Sequence, residues 1–436
     1  MNGTSRRDDL LSPLLMTKLS HPPVRPRLVH RPRLIERLNL GLYRKLTLVS
    51  APAGFGKTTL VSEWLSDQDR PVAWLSLDEG DNDPVQFLVY LTAALNHVVA
   101  GGATVQPNPP IGRSLRELLQ SPQLAPIPSL VTLLINDLVA LDQPLILVLD
   151  DYQLVSLEEV HCILETLLER QPPTMHTVVC TRQELPVPLP RLRARGQVTE
   201  IRERDLRFTQ AEATEFIAHT MGLRLEADVI RALEGRTEGW IAGLQLAALA
   251  LQEHQGDAAA FVAYFTGDDR YIMDYMLAEV LERQPPAIQN FVQETAILDR
   301  FTAALCDAVT GRDDSQAVLE SLEAANLFLV PLDHRREWYR YHRLFAEFLR
   351  SRLDTDTRRR LHRRAMQVYQ ADLEVAGYLQ QAIGHALAYA ALSRESPSEA
   401  RGEGGQEWED AERLIGQAAD ETLHAGGVLS LRRWLE

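Results

Sequence analysis

The sequence predicts an α/β domain on a parallel sheet in its first half and a mainly helical second half. Three observations carry that expectation. An apolar run, Leu46-Thr47-Leu48-Val49, enters the small-residue segment Ala51-Pro52-Ala53-Gly54-Phe55-Gly56-Lys57-Thr58, and Thr59 to Leu65 leaves it with helical character. Further apolar runs follow, separated by helical patterns, and one of them ends in the acidic pair Asp150-Asp151. From Thr209 onward the pattern turns helical. A chain of 436 residues is expected to hold about two to four domains.

Composition narrows the class. The hydrophobic share of 45% suits a globular protein with a sizeable core. Sixty acidic residues against 45 basic ones give a formal charge of −15, which argues against non-specific binding to DNA or anionic membrane. Cys162, Cys180 and Cys306 are scattered without metal-ligand spacing and read as small apolar residues in a reducing cytosol. No apolar run approaches the roughly eighteen residues a membrane span needs, and the N-terminus lacks a signal-peptide core. A soluble cytoplasmic chain is expected.

Strand, small-residue loop, Lys-Thr and helix is the context of a phosphate-binding loop, the Walker A motif. Gly54 and Gly56 let the backbone curl so that successive N–H groups along Ala53, Gly54, Phe55, Gly56, Lys57, Thr58 and Thr59 point at phosphate oxygens. The helix beginning near Lys57 adds its positive end. Lys57 can reach the β- and γ-phosphates, and the Thr58 hydroxyl can ligate Mg²⁺. ATP or ADP with Mg²⁺ is the expected ligand.

Taken in order, residues 1–24 are polar and read as a loose leader. Pro22 to Pro32, with Leu34, Ile35, Leu38 and Leu42 at helical spacing, is either a segment packed on the nucleotide base or a surface arm with a short helix. Pro71–Leu77 is a second strand. Asp78-Glu79-Gly80-Asp81-Asn82-Asp83-Pro84 follows, and Asp83 can cap a helix over Val85–Asn96. The acidic cluster reads as a solvated turn, with a metal site as the alternative. Residues 100–114 and 121–129 read as loops around a short helix, and Leu130–Leu141 as an amphipathic helix. Pro144–Asp151 has the look of a Walker B strand: a buried parallel strand must be apolar along its length, and its carboxylates emerge at the C-terminal edge. Asp150 is placed to hold Mg²⁺ through water, and Asp151 to orient or deprotonate the attacking water. His176–Thr181 is a strand ending at Arg182, which either senses the γ-phosphate or pairs with an acidic neighbour. Gln197–Ile201 is the fifth strand.

The second half opens with a capping box, Thr209-Gln210-Ala211-Glu212, before a helix over Ala213–Met221. Helices are expected over Glu226–Glu234, Ile241–Glu253, Tyr271–Glu282, Pro286–Thr295, Ala296–Gly311 and Ser315–Asn326. Gly239-Trp240 alone is a helix–helix turn. Strands at Leu327–Val330 and Trp338–Tyr341, then a helix from His342, give winged-helix order, with DNA binding as one reading of the arginine-rich run Arg335 to Arg364. Asp354, Asp356 and Glu347 interrupt that run and favour a solvated or interdomain face. Residues 357–436 are helical, rich in Ala and Leu, and look like the opening of a helical-repeat array. Ser393–Glu407 is a low-complexity loop.

On these residues the chain resembles the large ATP-binding regulators of the LuxR type, related to the bacterial maltose-regulon activator. These are signal-transduction ATPases with numerous domains, the STAND class. The matching segments are SAPAGFGKTTL at Ser50–Leu60, WLSLDEGDND at Trp74–Asp83, LVLDDY at Leu147–Tyr152, CTR at Cys180–Arg182, LRFT at Leu206–Thr209, EGW at Glu238–Trp240 and YHRLFAEFLR at Tyr341–Arg350. The resemblance runs from about residue 17 across nearly the whole chain.

The resemblance implies a P-loop NTPase of ASCE/STAND type on a parallel five-stranded sheet at 25–205. A small all-α domain at 206–283, a winged-helix domain at 284–355 and the start of a TPR-like sensor array at 356–436 would follow. It implies that the winged helix folds back on the nucleotide, with His342 at the ADP β-phosphate. It further implies that Gly239-Trp240 is a nucleotide-facing turn, in which the Pro of the commoner Gly-x-Pro form is Ala242 or absent, and that Val29 and Arg31 line the base. The implied mechanism is a switch, closed with ADP and self-associating with ATP and an unknown inducer on the repeats, reset by hydrolysis through Asp151. DNA binding in the family belongs to a C-terminal helix-turn-helix absent from these residues, so the chain is either a fragment or signals by association alone. A second reading, a nucleotide-binding scaffold without turnover, differs in predicting that Asp151→Asn leaves assembly and nucleotide exchange unchanged.

Overall fold

The computed structural model describes residues 14–24, 26–99, 111–119, 126–253, 257–371, 378–395 and 412–416. The chain divides into two compact units, residues 1–235 with 239–252, and residues 236–238 with 253–436.

The first unit opens with a 3₁₀ turn at Met16–Leu19. It continues through α1 (Pro32–Gly41), β1 (Leu46–Ser50), α2 (Lys57–Ser66), β2 (Val72–Ser76), α3 (Pro84–Val99), α4 (Arg113–Leu119), α5 (Ile127–Leu141) and β3 (Leu145–Asp150). Then come α6 (Glu158–Arg170), β4 (Met175–Thr181), α7 (Leu189–Ala194), β5 (Val198–Arg202), α8 (Glu203–Leu206) and α9 (Gln210–Glu215). Next is α10 (Ala227–Thr237), whose last two residues belong to the second unit, and then α11 (Ile241–Glu253), whose last residue does so too. The five strands form one parallel sheet in the order β2-β3-β4-β1-β5. β1, β3 and β4 are buried along their whole length, as apolar strands covered on both faces must be. β4 separates β1 from β3, so the loop after β1 and the acids after β3 meet across one strand at the C-terminal edge.

Local chemistry sets several boundaries. Asp83 accepts from the N–H groups of Val85 and Gln86, so α3 begins at Pro84. Thr209 and Glu212 form the expected capping box, which starts the helix at Gln210, earlier than Ala213, before it widens into a π turn at Phe216–Thr220. The acidic turn after β2 is a 3₁₀ turn, Glu79–Asn82, boxed by Asp78 and Asp81. Its cation is a lysine: Lys18 lies 2.6 Å from Asp81 and 3.1 Å from Asp78, and also faces the Tyr90 ring at 4.2 Å. Both Lys18 and Asp81 are buried. Part of the stretch expected to be a loose leader is therefore docked; residues 1–13 lie outside those described.

The second unit holds α12 (Ala258–Tyr264), α13 (Arg270–Met276) widening into a π turn at Leu277–Leu281, α14 (Pro286–Thr295), α15 (Ala303–Thr310) and α16 (Ser315–Ala324). It ends with the antiparallel pair β6 (Leu329–Pro331) and β7 (Tyr339–Tyr341), then α17 (Arg343–Ser351), α18 (Thr355–Gln370) and α19 (Tyr378–Glu395). The helix expected over Ala296–Gly311 is shorter, because Phe301 bridges to Tyr339 in strand fashion and Thr302 caps α15. Phe328 has φ +53°, so the strand begins at Leu329 rather than Leu327. Beneath the hairpin, Phe301, Phe328, Tyr341, Phe345 and Phe348 form a ring cluster with centroid separations of 4.9–6.3 Å. In the arginine-rich run, Arg336 pairs with Glu323, Arg340 with Glu238, Arg350 with Asp299 and Arg360 with Glu294. α18 and α19 pack on each other as a helix pair. Most of the expected loop at 393–407 lies outside the described residues, as do residues 100–110 and 121–125 of the loops expected at 100–114 and 121–129; the helices begin earlier than those bounds allow, α4 at Arg113 and α5 at Ile127.

Removing the Lys18 ammonium leaves a buried, unneutralised carboxylate at Asp81. Lys18→Met is expected to cost the first unit about 3 kcal/mol, and adding Asp81→Asn to restore much of it. Urea unfolding of the two variants checks this; a double variant no more stable than Lys18→Met contradicts it.

Candidate functional site

The loop Ala51–Gly56 turns at the C-terminal end of β1 through two glycines in the left-handed region, Gly54 at φ +78° and Gly56 at φ +74°. Gly56 then caps α2, placing the N–H groups of Lys57, Thr58 and Thr59 at a helix start. The Lys57 ammonium lies back over the loop, 2.9 Å from the Ala51 carbonyl and 3.0 Å from that of Pro52. Burial, with the positive charge of Arg182 acting in the same direction, brings its pKa down to about 8.

Across the sheet edge, the Thr58 hydroxyl lies 3.1 and 3.0 Å from the two carboxylate oxygens of Asp150. Asp150 is buried at the end of β3, and desolvation, then the charge of Asp151, push its pKa up to about 6 against the pull of Thr58. Asp151 is half-buried, in the left-handed region at φ +57°, and accepts from Gln153 Nε2 at 2.8 Å. The structure thus brings Lys57, Thr58, Asp150, Asp151 and Arg182 to one edge.

The turn Gly239-Trp240 reaches the same loop. Trp240 is buried, and its indole N–H donates to the Ala53 carbonyl at 3.0 Å. Ala242 N–H donates to the Gly54 carbonyl, also at 3.0 Å. Only glycine fits at 239: its φ is +70°, and a Cβ there would sit 2.6 Å from the Phe208 carbonyl oxygen. Val29 and Arg31 are buried. The Arg31 guanidinium is committed to Glu212 and to the carbonyls of Leu206 and Arg207, so it ties α1 to the α8–α9 turn. His342 belongs to the second unit; its Nε2 lies 3.0 Å from the Thr237 carbonyl of that unit, beside the Glu238–Arg340 ion pair.

Sequence reading missed two contributors. Gln153 and Asn82 are unremarkable polar residues until the turn after Asp151 is folded. Their only signal was position, two residues past the acidic pair for Gln153 and the end of the acidic turn for Asn82.

The residues fit a magnesium–nucleoside polyphosphate. A buried carboxylate raised to about 6 gains most from a divalent cation, and Thr58 is the hydroxyl beside it. The loop N–H groups and Lys57 suit the phosphates. Two outcomes follow from the electrostatics. Because bound phosphates favour the charged ammonium, nucleotide affinity should fall, up to roughly tenfold per pH unit, once the pH rises past about 8, and Lys57→Arg should flatten that dependence. Fluorescent-nucleotide titrations across this range read it directly. For Asp150, a folded pKa above the unfolded one means its contribution is fully present below about pH 4 and lost as pH rises through about 6. At pH 7 its ionised form is a cost. Asp150→Asn should therefore stabilise the metal-free chain by about 1–3 kcal/mol in denaturant melts while weakening Mg²⁺-dependent nucleotide binding.

With the geometry in place, comparison with known proteins adds the family. Residues 27–180 match an AAA ATPase domain model, and residues 277–362 match a MalT winged helix domain model. The HTH-type transcriptional regulator MalT of Klebsiella pneumoniae subsp. pneumoniae is 35% identical over 384 residues, covering 86% of this chain and 40% of that protein. The protein of the same name from Cronobacter sakazakii is 34% identical over 379 residues, with the same coverages. The chain thus spans about two fifths of the length of these relatives. Among solved structures, a Walker-type ATPase of Pyrococcus abyssi, PABY2304, superposes with a TM-score of 0.53 at 15% identity, over 76% of this chain and 99% of that one, a likeness of fold. No helix among the described residues is long and apolar enough to cross a membrane. An AAA ATPase domain followed by a MalT winged helix domain, with relatives matched across 86% of this chain, makes it a member of the MalT-like, LuxR-type STAND family over the part that those relatives share with it.

Proposed function

We propose that the chain is the ATP/ADP-switched signal-transduction ATPase module of a transcriptional regulator, closed with ADP and self-associating with ATP plus an inducer on the repeat region. The observation that carries this is the grip of the Gly239–Ala242 turn on the phosphate loop. Trp240 and Ala242 hold the carbonyls of Ala53 and Gly54. Each carbonyl shares a rigid peptide plane with the next N–H, that of Gly54 or Phe55. A phosphate that draws those N–H groups inward therefore rotates the bonds at the start of α11. Such a linkage suits a protein that reports which nucleotide it holds.

In hydrolysis, Asp151 orients a water and accepts its proton, Lys57 holds the β- and γ-phosphates, and Arg182 reads the γ-phosphate. Thr58 and Asp150 would hold the cation. Magnesium, when bound, supplies charge neutralisation on the phosphates. The role expected of His342, reading the ADP β-phosphate, belongs to this proposal. Transcriptional regulation is in the name of the relatives and is proposed here only for a protein that carries a DNA-binding domain. A two-state switch driven from one extreme to the other needs about 5.5 kcal/mol of differential binding, which nucleotide and inducer can share.

Asp151→Asn is expected to keep nucleotide affinity within a few-fold, to lower ATP turnover by about a hundredfold or more, and to prolong the ATP-dependent assembly. Phosphate release and light scattering in ATP and in ADP measure these. Unchanged assembly lifetime in Asp151→Asn, or tight ATP binding by Lys57→Ala, overturns the proposal.

A further inference from the structure

We propose that Gln153 is a positioning residue that aims the Asp151 carboxylate and fixes it to the end of β4 at Arg182. The inference rests on the hydrolytic reading of Asp151 given above. It starts from the backbone. Asp151 sits at φ +57°, ψ +38°, a conformation that Asp tolerates better than most residues, and this sends the chain into a 3₁₀ turn at Tyr152–Leu154. The turn brings the side chain two residues on back over Asp151. Gln153 Nε2 then donates to Asp151 Oδ1 at 2.8 Å, and Gln153 Oε1 accepts from the Arg182 N–H at 2.9 Å.

The two ends of a carboxamide are not interchangeable. With a carboxylate on one side and an N–H on the other, only one orientation satisfies both bonds. The turn that carries Gln153 is also clamped. Asn82 Nδ2 donates to the Leu154 carbonyl at 2.8 Å, and Asn82 Oδ1 accepts from the Ser156 and Leu157 N–H groups at 2.7 and 3.1 Å. Asn82 lies in the acidic turn that Lys18 pins through Asp78 and Asp81. A clamped turn, an oriented amide and two fixed partners leave Asp151 with one oxygen engaged and the other for a water proton. Because the amide is neutral, it holds the carboxylate without neutralising it, as a group that must take up a proton requires. The same amide makes the strand end that carries Arg182 and the carboxylate that serves the water one mechanical piece.

The test compares Gln153→Ala and Gln153→Glu with the wild type and with Asp151→Asn in steady-state ATP hydrolysis, with nucleotide affinity measured separately. If Gln153 positions Asp151, Gln153→Ala lowers kcat by about tenfold or more while ATP affinity stays within about twofold. Gln153→Glu keeps an acceptor for the Arg182 N–H but loses the donor to Asp151, so it shows the same split, with kcat down by about tenfold or more and affinity within about twofold. A merely structural role would weaken binding and turnover together and would be satisfied by the near-isosteric glutamate. An unchanged or raised kcat in Gln153→Ala, or a kcat near wild type in Gln153→Glu, overturns the proposal. Where Asp151→Asn abolishes turnover and Gln153→Ala does not, the role of Gln153 alone is refuted. Where Asp151→Asn turns over normally, the hydrolytic reading of Asp151 is refuted and this inference with it.

Discussion

A strand buried on both faces can carry charge only where it ends, and the site depends on that constraint. β3 is apolar from Leu145 to Leu149 and then delivers Asp150 to the sheet edge with almost no water around it. Desolvation lifts its pKa to about 6, so the ionised carboxylate is a standing cost to the fold until a cation relieves it. The strand order amplifies the effect. With β4 between β1 and β3, the hydroxyl at the start of α2 lands beside that carboxylate, and Thr58 becomes the partner that makes its burial tolerable. A surface aspartate would need no such partner and would offer a cation far less.

The loop opposite is organised by backbone rather than charge. Gly54 and Gly56 supply the left-handed turns, and the Gly239–Ala242 segment holds the carbonyls that face away from the phosphates. Glycine at 239 is obligatory because its carbonyl and Cα press against the Phe208 backbone. A helix start almost two hundred residues downstream is thus built into the rigidity of the loop. The next residue toward the N-terminus, Glu238, is held by Arg340 and by the Arg343 N–H, and these interactions, with burial opposing them, bring its pKa down to about 2. At neutral pH that anchor is fully ionised.

What was legible in the sequence was what short-range rules govern. All five strands were anticipated, β1, β3 and β4 most plainly, since a parallel strand covered on both faces leaves little choice of residue. The Thr209–Glu212 box and the Asp83 cap could be read because both bonds span three residues or fewer. Long-range pairing could not. The acidic turn at Asp78–Asp83 admitted a metal, and its neutraliser, Lys18, lies 63 residues upstream in a stretch with the composition of a leader. The helix from Ala296 was overextended because nothing local marks Phe301 as a strand partner of Tyr339. Gln153 was invisible for a subtler reason. Its two hydrogen bonds exist only once Asp151 adopts a left-handed conformation, which a residue other than glycine seldom announces.

The distribution of charge separates architecture from site. Where the chain is only being held together, opposite charges meet directly: Lys18 with Asp81, Arg31 with Glu212, Arg340 with Glu238. At the sheet edge the pattern differs. Lys57 rests on carbonyls, Asp150 on a hydroxyl and Asp151 on an amide. Neutral partners fix the direction of a charge without consuming it, so its field stays available to a polyanion and a cation. Pairing Lys57 with Asp150 directly would have spent both charges on each other and left less of either for the ligands. The charge left available at this edge is what allows ligand binding to change the energy of the fold, as any nucleotide-dependent switch requires.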